Sequence, residues 1–286
     1  MKTSISTYSF YRLISEGKMT YFDAVDKTKE LGCDGAEICV IGDIAGGNFE
    51  EYVTKLIAHA REIGLEVPIF TTDANFLCAD VNSEIARVKR NVDIAAKNNI
   101  SLMRHDVAWD FYQGYEGIKT FEAALPRIAA AIREVAEYAQ SKGVVTCSEN
   151  HGRFVQDSDR MLALFTAVNH PNYRWLCDIG NFGCVDEDCA IAVSKLLPFL
   201  SHVHAKDAFW RSGMLPNPGK GWSKTRAGNF RRATIFGHGD VPAQQIFSII
   251  RDSGYDGYVS LEFEGIEDVL TAIEISIENL KKALNV

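Results

Sequence analysis

Short apolar runs alternate along this chain with longer stretches of helical period. The runs Ser4–Tyr8, Gly35–Cys39, Glu66–Phe70, Ile100–Arg104, Val144–Ser148, Tyr173–Cys177, His202–Lys206 and Tyr258–Leu261 read as strands. Near-continuous apolar runs of that length suit strands buried on both faces. Between them, apolar residues recur at helical spacing near 21–31, 49–63, 82–98, 120–141, 157–168, 186–197, 241–253 and 266–284. In the last stretch Ile266, Val269, Leu270, Ile273, Ile277, Leu280 and Leu284 step by three or four, which predicts one apolar face. Phe121, Leu125, Ile128, Ile132 and Val135 repeat the pattern, and Pro126 predicts a kink there or a later helix start.

Strands and helices in strict alternation predict βαβ units and a parallel sheet. Eight of each suit a closed (β/α)8 barrel, the TIM-barrel architecture, as a single domain over residues 1–286. An open doubly wound sheet is the alternative, but no G-x-G-x-x-G follows the first strand. One irregular insertion, from about Ala208 to His238, follows the seventh strand and is rich in Gly, Arg, Lys, Asn and Trp. Long loops in compact domains usually carry function.

Barrel chemistry gathers at the carboxyl ends of the strands. The fifth run is followed by Glu149, the sixth by Asp178, the seventh contains His204 and the eighth is followed by Glu262. Successive strands thus bring three carboxylates and an imidazole to one mouth. Packed carboxylates raise one another's pKa, and a divalent cation resolves the conflict. Oxygen and imidazole donors suit Mn2+, Co2+, Zn2+ or Mg2+. Glu264 is the other candidate on the eighth strand; Glu262 directly ends the apolar run.

Composition narrows the class. The chain has 286 residues, 47% hydrophobic, enough to bury a core without staples. A net charge of −8 argues against phosphate-backbone binding, so no nucleic-acid partner is expected. The seven cysteines form no C-x2-C pair, no apolar run approaches the roughly 18–20 residues of a membrane span, and Met1–Ile5 does not open a signal peptide. A cytoplasmic protein with reduced thiols and no membrane partner is expected, with Cys147 and Cys177 facing the helix layer.

The segments Gly32–Glu37, Glu149–His151, Cys177–Asn181, His202–Asp207, Gly237–Val241 and Gly254–Tyr258 resemble the sugar phosphate isomerase/epimerase superfamily, the xylose-isomerase-like or AP-endonuclease-2-like barrels. The resemblance implies one divalent metal, Mn2+ first, on Glu149, Asp178, His204 and Glu262, with both glutamates doubling as an acid/base pair. It implies an isomerase or epimerase acting on a keto sugar or related polyol through an enediolate. It also implies a homo-oligomer, dimer or tetramer. The first alternative is a metal-dependent lyase or dehydratase on a 3-keto-glycoside, a class in which some relatives need a second subunit. An AP-endonuclease-type DNA-repair enzyme ranks below both. Asn181 stands three residues after Asp178, where ketose epimerases of this family often carry His, so one ion is expected rather than a cluster.

Six further residues are candidates for substrate binding. Strand alternation puts His151 on the side of Glu149, to bind substrate or move a proton. Arg104 can fork onto a substrate oxygen or pair with a carboxylate across the mouth. Lys206 shares the face of His204 and can stabilise an oxyanion or neutralise the acids. Glu37 can hold a substrate hydroxyl or orient another side chain, Asn181 can hydrogen-bond a hydroxyl, and Arg231 in the insertion can bind an anionic group. Tyr8 and Phe10 offer an apolar wall.

Overall fold

The computed structural model describes residues 1–41 and 47–285. Eight parallel strands close into a barrel: β1 (Lys2–Ser6), β2 (Gly35–Cys39), β3 (Phe70–Thr72), β4 (Leu102–His105), β5 (Val145–Glu149), β6 (Tyr173–Asp178), β7 (Leu200–Ala205) and β11 (Tyr258–Leu261). β11 returns to pair with β1, with Ile5 opposite Leu261, and this closure leaves the barrel sheet without a free edge. The outer layer holds α2 (Tyr21–Glu30), α3 (Phe49–Glu62), α4 (Val81–Lys97), α5 (Phe121–Ser141), α6 (Ser158–Val168), α7 (Cys189–Leu196), α8 (Ala243–Asp252) and α9 (Val269–Leu284). A short α1 (Tyr11–Ser15) precedes α2. The chain is a single TIM barrel. No helix among the described residues is long and apolar enough to cross a membrane.

Three expectations shift. The third strand lies at Phe70–Thr72 rather than Glu66–Phe70. Residues 66–69 still run beside β2, with Ala36 N–H donating to the Glu66 carbonyl at 2.9 Å. Pro68 has no N–H to give, so the regular ladder starts only beyond it. In α5 the helix starts at Phe121, because Thr120 Oγ1 accepts from Ala123 N–H at 3.2 Å; Pro126 then sits inside the helix and does not mark its start. In the last helix, Asp268 caps the N-terminus at Val269, so Ile266 precedes the helix. Ile266 and Leu270 are exposed, and the buried stripe is Val269, Ile273, Ile277, Leu280 and Leu284.

The insertion is not an open loop. β8 (Asp207–Arg211) and β10 (Phe230–Thr234) form an antiparallel ladder, with β9 (Ser223–Lys224) on the far edge of β10. The Asp207 carboxylate pins its root, accepting from the N–H groups of Ala208 at 2.8 Å, Gly237 at 2.9 Å, Gly239 at 2.9 Å and Val241 at 3.2 Å. A Cβ on Gly239 would run into that carboxylate, so only glycine permits the approach.

Strand alternation decides what fills the barrel. Ile69, Cys147 and Leu176 form a small separate cluster with Leu102 packed on it. Cys147 and Leu176 lie two residues before Glu149 and Asp178, hence on the same, inward face. Cys147 therefore faces the interior, against expectation, whereas Cys177 joins the main core under the helices. Much of the remaining inward face is polar: Ser4, Ser260, His202, Glu37 and Thr71 are all buried and joined in one hydrogen-bonded chain.

Candidate active site and metal centre

The carboxyl ends of β5, β6, β7 and β11 bring Glu149, Asp178, His204 and Glu262 together. One donor atom from each lies within 4.8 Å of the others, and all four residues are buried. His204 Nδ1 is 3.8 Å from Glu149 Oε1 and 3.7 Å from Glu262 Oε2. Those separations exceed hydrogen bonds. They match atoms sharing one ion, since donors each about 2.1 Å from a metal stand roughly 3–4 Å apart. His204 Nδ1 is moreover a buried nitrogen with no hydrogen-bond partner among the described residues. An orphan of that kind calls for an explanation, and a ligated ion is one of the standard ones. The donor set and the orphaned nitrogen therefore fit a divalent metal.

The surrounding charges divide the carboxylates. Arg104 Nη2 lies 2.7 Å from Glu149 Oε2, and Asn181 Nδ2 donates to Glu149 Oε1 at 2.9 Å. Burial works against an anion there, but Arg104 and His204 outweigh it and hold Glu149 well below the usual carboxylate range. Lys206 Nζ lies 2.5 Å from Glu262 Oε2, 3.1 Å from Asp178 Oδ2 and 3.4 Å from Glu264 Oε2. Burial is again opposed, by Lys206 and then His204, and Glu262 is brought down to about 2. At Asp178 burial wins, with Glu149 and Glu262 adding to it against Lys206, and the carboxyl is pushed up to about 6. A buried ammonium among three acids offsets much of the repulsion a metal would otherwise have to relieve alone.

The supporting side chains fall into three places. Arg104 is spent on the protein: besides Glu149 it reaches Asp106 Oδ1 at 2.7 Å and donates to the Thr72 carbonyl at 3.1 Å. His151 Nδ1 lies 2.9 Å from the same Asp106 oxygen, and Trp109 sets its ring edge against His151 at 4.8 Å. Burial lowers the His151 pKa, but the Asp106 carboxylate outweighs it and raises it. Tyr8, Arg104, Asp106, Trp109, Glu149, His151, Glu262 and Glu264 line part of a cavity of ≈ 940 Å³ at the barrel mouth. Glu37 is fully buried under His204, Asn181 is buried beside Glu149, and Phe10 belongs to the core. Arg231 on β10 comes to 4.0 Å from Glu264, with its Nε and Nη2 buried and unpartnered among the described residues.

Two contributors carried no signal strong enough to single them out. Asp106 bridges Arg104 and His151, and only its place two residues past Arg104 hints at that. Asn150 lies between two better candidates. Its Oδ1 accepts from Asp178 N–H at 3.0 Å and Trp175 Nε1 at 3.2 Å, while its Nδ2 donates to the Asp178 carbonyl at 2.9 Å. Asn150→Ala strands three buried polar groups, each worth about 1–3 kcal/mol. The expected result is a cooperative unfolding transition moved down by several degrees, read by circular dichroism. An unchanged transition would show that water replaces the amide.

The xylose isomerase-like TIM barrel model matches residues 25–283. A protein named inosose dehydratase from Yersinia enterocolitica is 26% identical over 160 residues, 53% of this chain and 52% of its own length. The match thus spans about half of that relative. Among solved structures, the probable 3-DHS dehydratase AsbF from Bacillus anthracis superposes with a TM-score of 0.74 at 19% identity, over 98% of this chain and 99% of that one. An L-ribulose 3-epimerase superposes at 0.72 with 15% identity, over 99% and 94%. With a family model covering nearly its whole length on a closed eight-stranded barrel, the chain belongs to the xylose isomerase-like TIM barrel family.

Proposed function

We propose that this chain is a divalent-metal-dependent dehydratase acting on a polyhydroxylated ketone of the inosose kind. The sequence relatives carry that name, over half their length. The fold alone does not choose, since neighbours of equal likeness are named dehydratase and epimerase. The observation that carries the reading is the inequality of the two glutamates. Glu149 has one oxygen on Arg104 and the other on Asn181. Glu262 has Oε2 on Lys206, while Oε1 takes no part in that ion pair, and the residue faces the cavity. An epimerase needs a proton-transfer group on each face of one carbon. Here one glutamate is a tethered anion and the other is a base joined to an acid.

A divalent ion, Mn2+ first among Mn2+, Co2+, Zn2+ and Mg2+, would be held by Glu149, Asp178, His204 and Glu262, and when bound would polarise the substrate carbonyl and acidify the neighbouring C–H. Glu262 Oε1 takes that proton. The electron pair forms the carbon–carbon double bond as the β-hydroxyl leaves. Lys206 gives the hydroxyl a proton, so that it departs as water. Rotation of the protonated Glu262 carboxyl then brings that proton from the Oε1 position onto the 2.5 Å contact that Oε2 made, and its return to Lys206 restores carboxylate and ammonium. Arg104 and Asn181 keep Glu149 oriented throughout, and Trp109 and His151 form the wall facing the substrate.

The test is the mass of the product formed from an inosose with Mn2+ present. Loss of one water supports dehydration. A product of unchanged mass and inverted configuration favours the second reading, an epimerase, which rests on both glutamates lining the same cavity.

A further inference from the structure

Beneath the four-residue cluster lies a second group of buried polar side chains that the proposed reaction does not touch. Glu37 on β2 is fully buried, and three side chains make four polar contacts with its carboxylate. His204 Nε2 stands 3.0 Å from its Oε1 and 2.9 Å from its Oε2. His202 Nε2 is 3.2 Å from Oε2, and Thr71 Oγ1 donates to Oε1 at 2.9 Å. The chain continues downward: His202 Nε2 lies 2.8 Å from Ser260 Oγ, which lies 2.7 Å from Ser4 Oγ. Burying a carboxylate this deeply is costly unless its oxygens are satisfied, and here they are.

We propose that Glu37 is the positioning residue of the metal centre. Resting on the metal reading above, its work is to fix His204 as the tautomer that carries its proton on Nε2. A carboxylate in this position accepts only, so the nitrogen facing it must donate. That leaves Nδ1 without a proton and its lone pair aimed at Glu149 and Glu262, which is the state a ligand needs. Carboxylates behind ligating histidines set both ring orientation and basicity. His202 and Thr71 hold Glu37 in turn, and Ser260 holds His202. Glu37, His202 and His204 could alternatively be read as donors to an ion of their own, because their atoms also cluster. Their separations of 2.9–3.2 Å are those of direct hydrogen bonds, and they leave no orphan on Glu37.

Two measurements on the full chain test this. Calorimetric titration with Mn2+ of the wild type and of Glu37→Gln should show affinity falling about 10–100-fold in the variant, the cost typical of losing such a partner. Its metal-free melting temperature should stay close to that of the wild type. The second needs no variant: nitrogen–proton correlation spectra of Zn2+-loaded wild type should show the His204 proton on Nε2. Failure of the wild type to bind Mn2+ overturns the metal reading itself. Normal binding by Glu37→Gln, or a proton on Nδ1 in the loaded wild type, overturns the role of Glu37 alone. Uptake of a second equivalent of Mn2+ that Glu37→Gln abolishes also overturns it, and makes Glu37 a ligand.

Discussion

Glu262→Gln is expected to dehydrate an inosose about 10²–10⁴ times more slowly than the wild type, the usual worth of a general base. The substitution keeps the volume and one oxygen, and removes the charge that takes the proton. It also leaves Lys206 without its nearest partner, since Nζ lies 2.5 Å from Glu262 Oε2. Asp178 at 3.1 Å and Glu264 at 3.4 Å remain to hold the ammonium, so the barrel mouth keeps its shape. In deuterated water the variant should fail to exchange the substrate hydrogen next to the carbonyl. Loss of dehydration with exchange intact would move the base elsewhere, with Glu149 and His151 the cavity-lining alternatives.

Lys206→Met separates the two halves of the reaction. Met fills much of the space of the lysine stem and carries no proton to give. Dehydration should fall by about 10²–10⁴, because the hydroxyl must then leave without acid assistance. Exchange of the neighbouring hydrogen should continue, because Glu262 still takes it. Metal affinity should be equal or greater, since a cation 3.1 Å from Asp178 and 2.5 Å from Glu262 competes with any ion on those oxygens. Retained dehydration in Lys206→Met would remove the acid from the account. Loss of exchange along with dehydration would make Lys206 part of the proton-abstracting step.

The sequence made the mouth of the barrel legible and left its support obscure. Glu149, Asp178, His204 and Glu262 stood out because each ends or interrupts an apolar run at the same end of successive strands. That regularity survives without any knowledge of contacts. The partnership of Glu37 with His204 does not, because the two residues are 167 positions apart and meet only when the barrel closes. Arg104 read as a group for substrate or for a carboxylate; Asp106 and Glu149 decide it in favour of the protein. The third strand slipped because the absence of one N–H at Pro68 outweighs an apolar pattern. Cys147 was placed by hydrophobicity when alternation with Glu149 was the stronger signal. The insertion looked like a loop because a long stretch rich in glycine and charge separates β8 from β10, and its order depends on Asp207 gathering distant backbone N–H groups.

The central claim is that one metal ion sits where these four strands end. Anomalous diffraction at the manganese edge, from crystals grown with Mn2+, tests it most directly. The account predicts a single strong peak bonded to Glu149, Asp178, His204 Nδ1 and Glu262. A mouth without a peak, with Lys206 still bridging Asp178 and Glu262, would contradict it, as would a peak lying instead among Glu37, His202 and His204 Nε2.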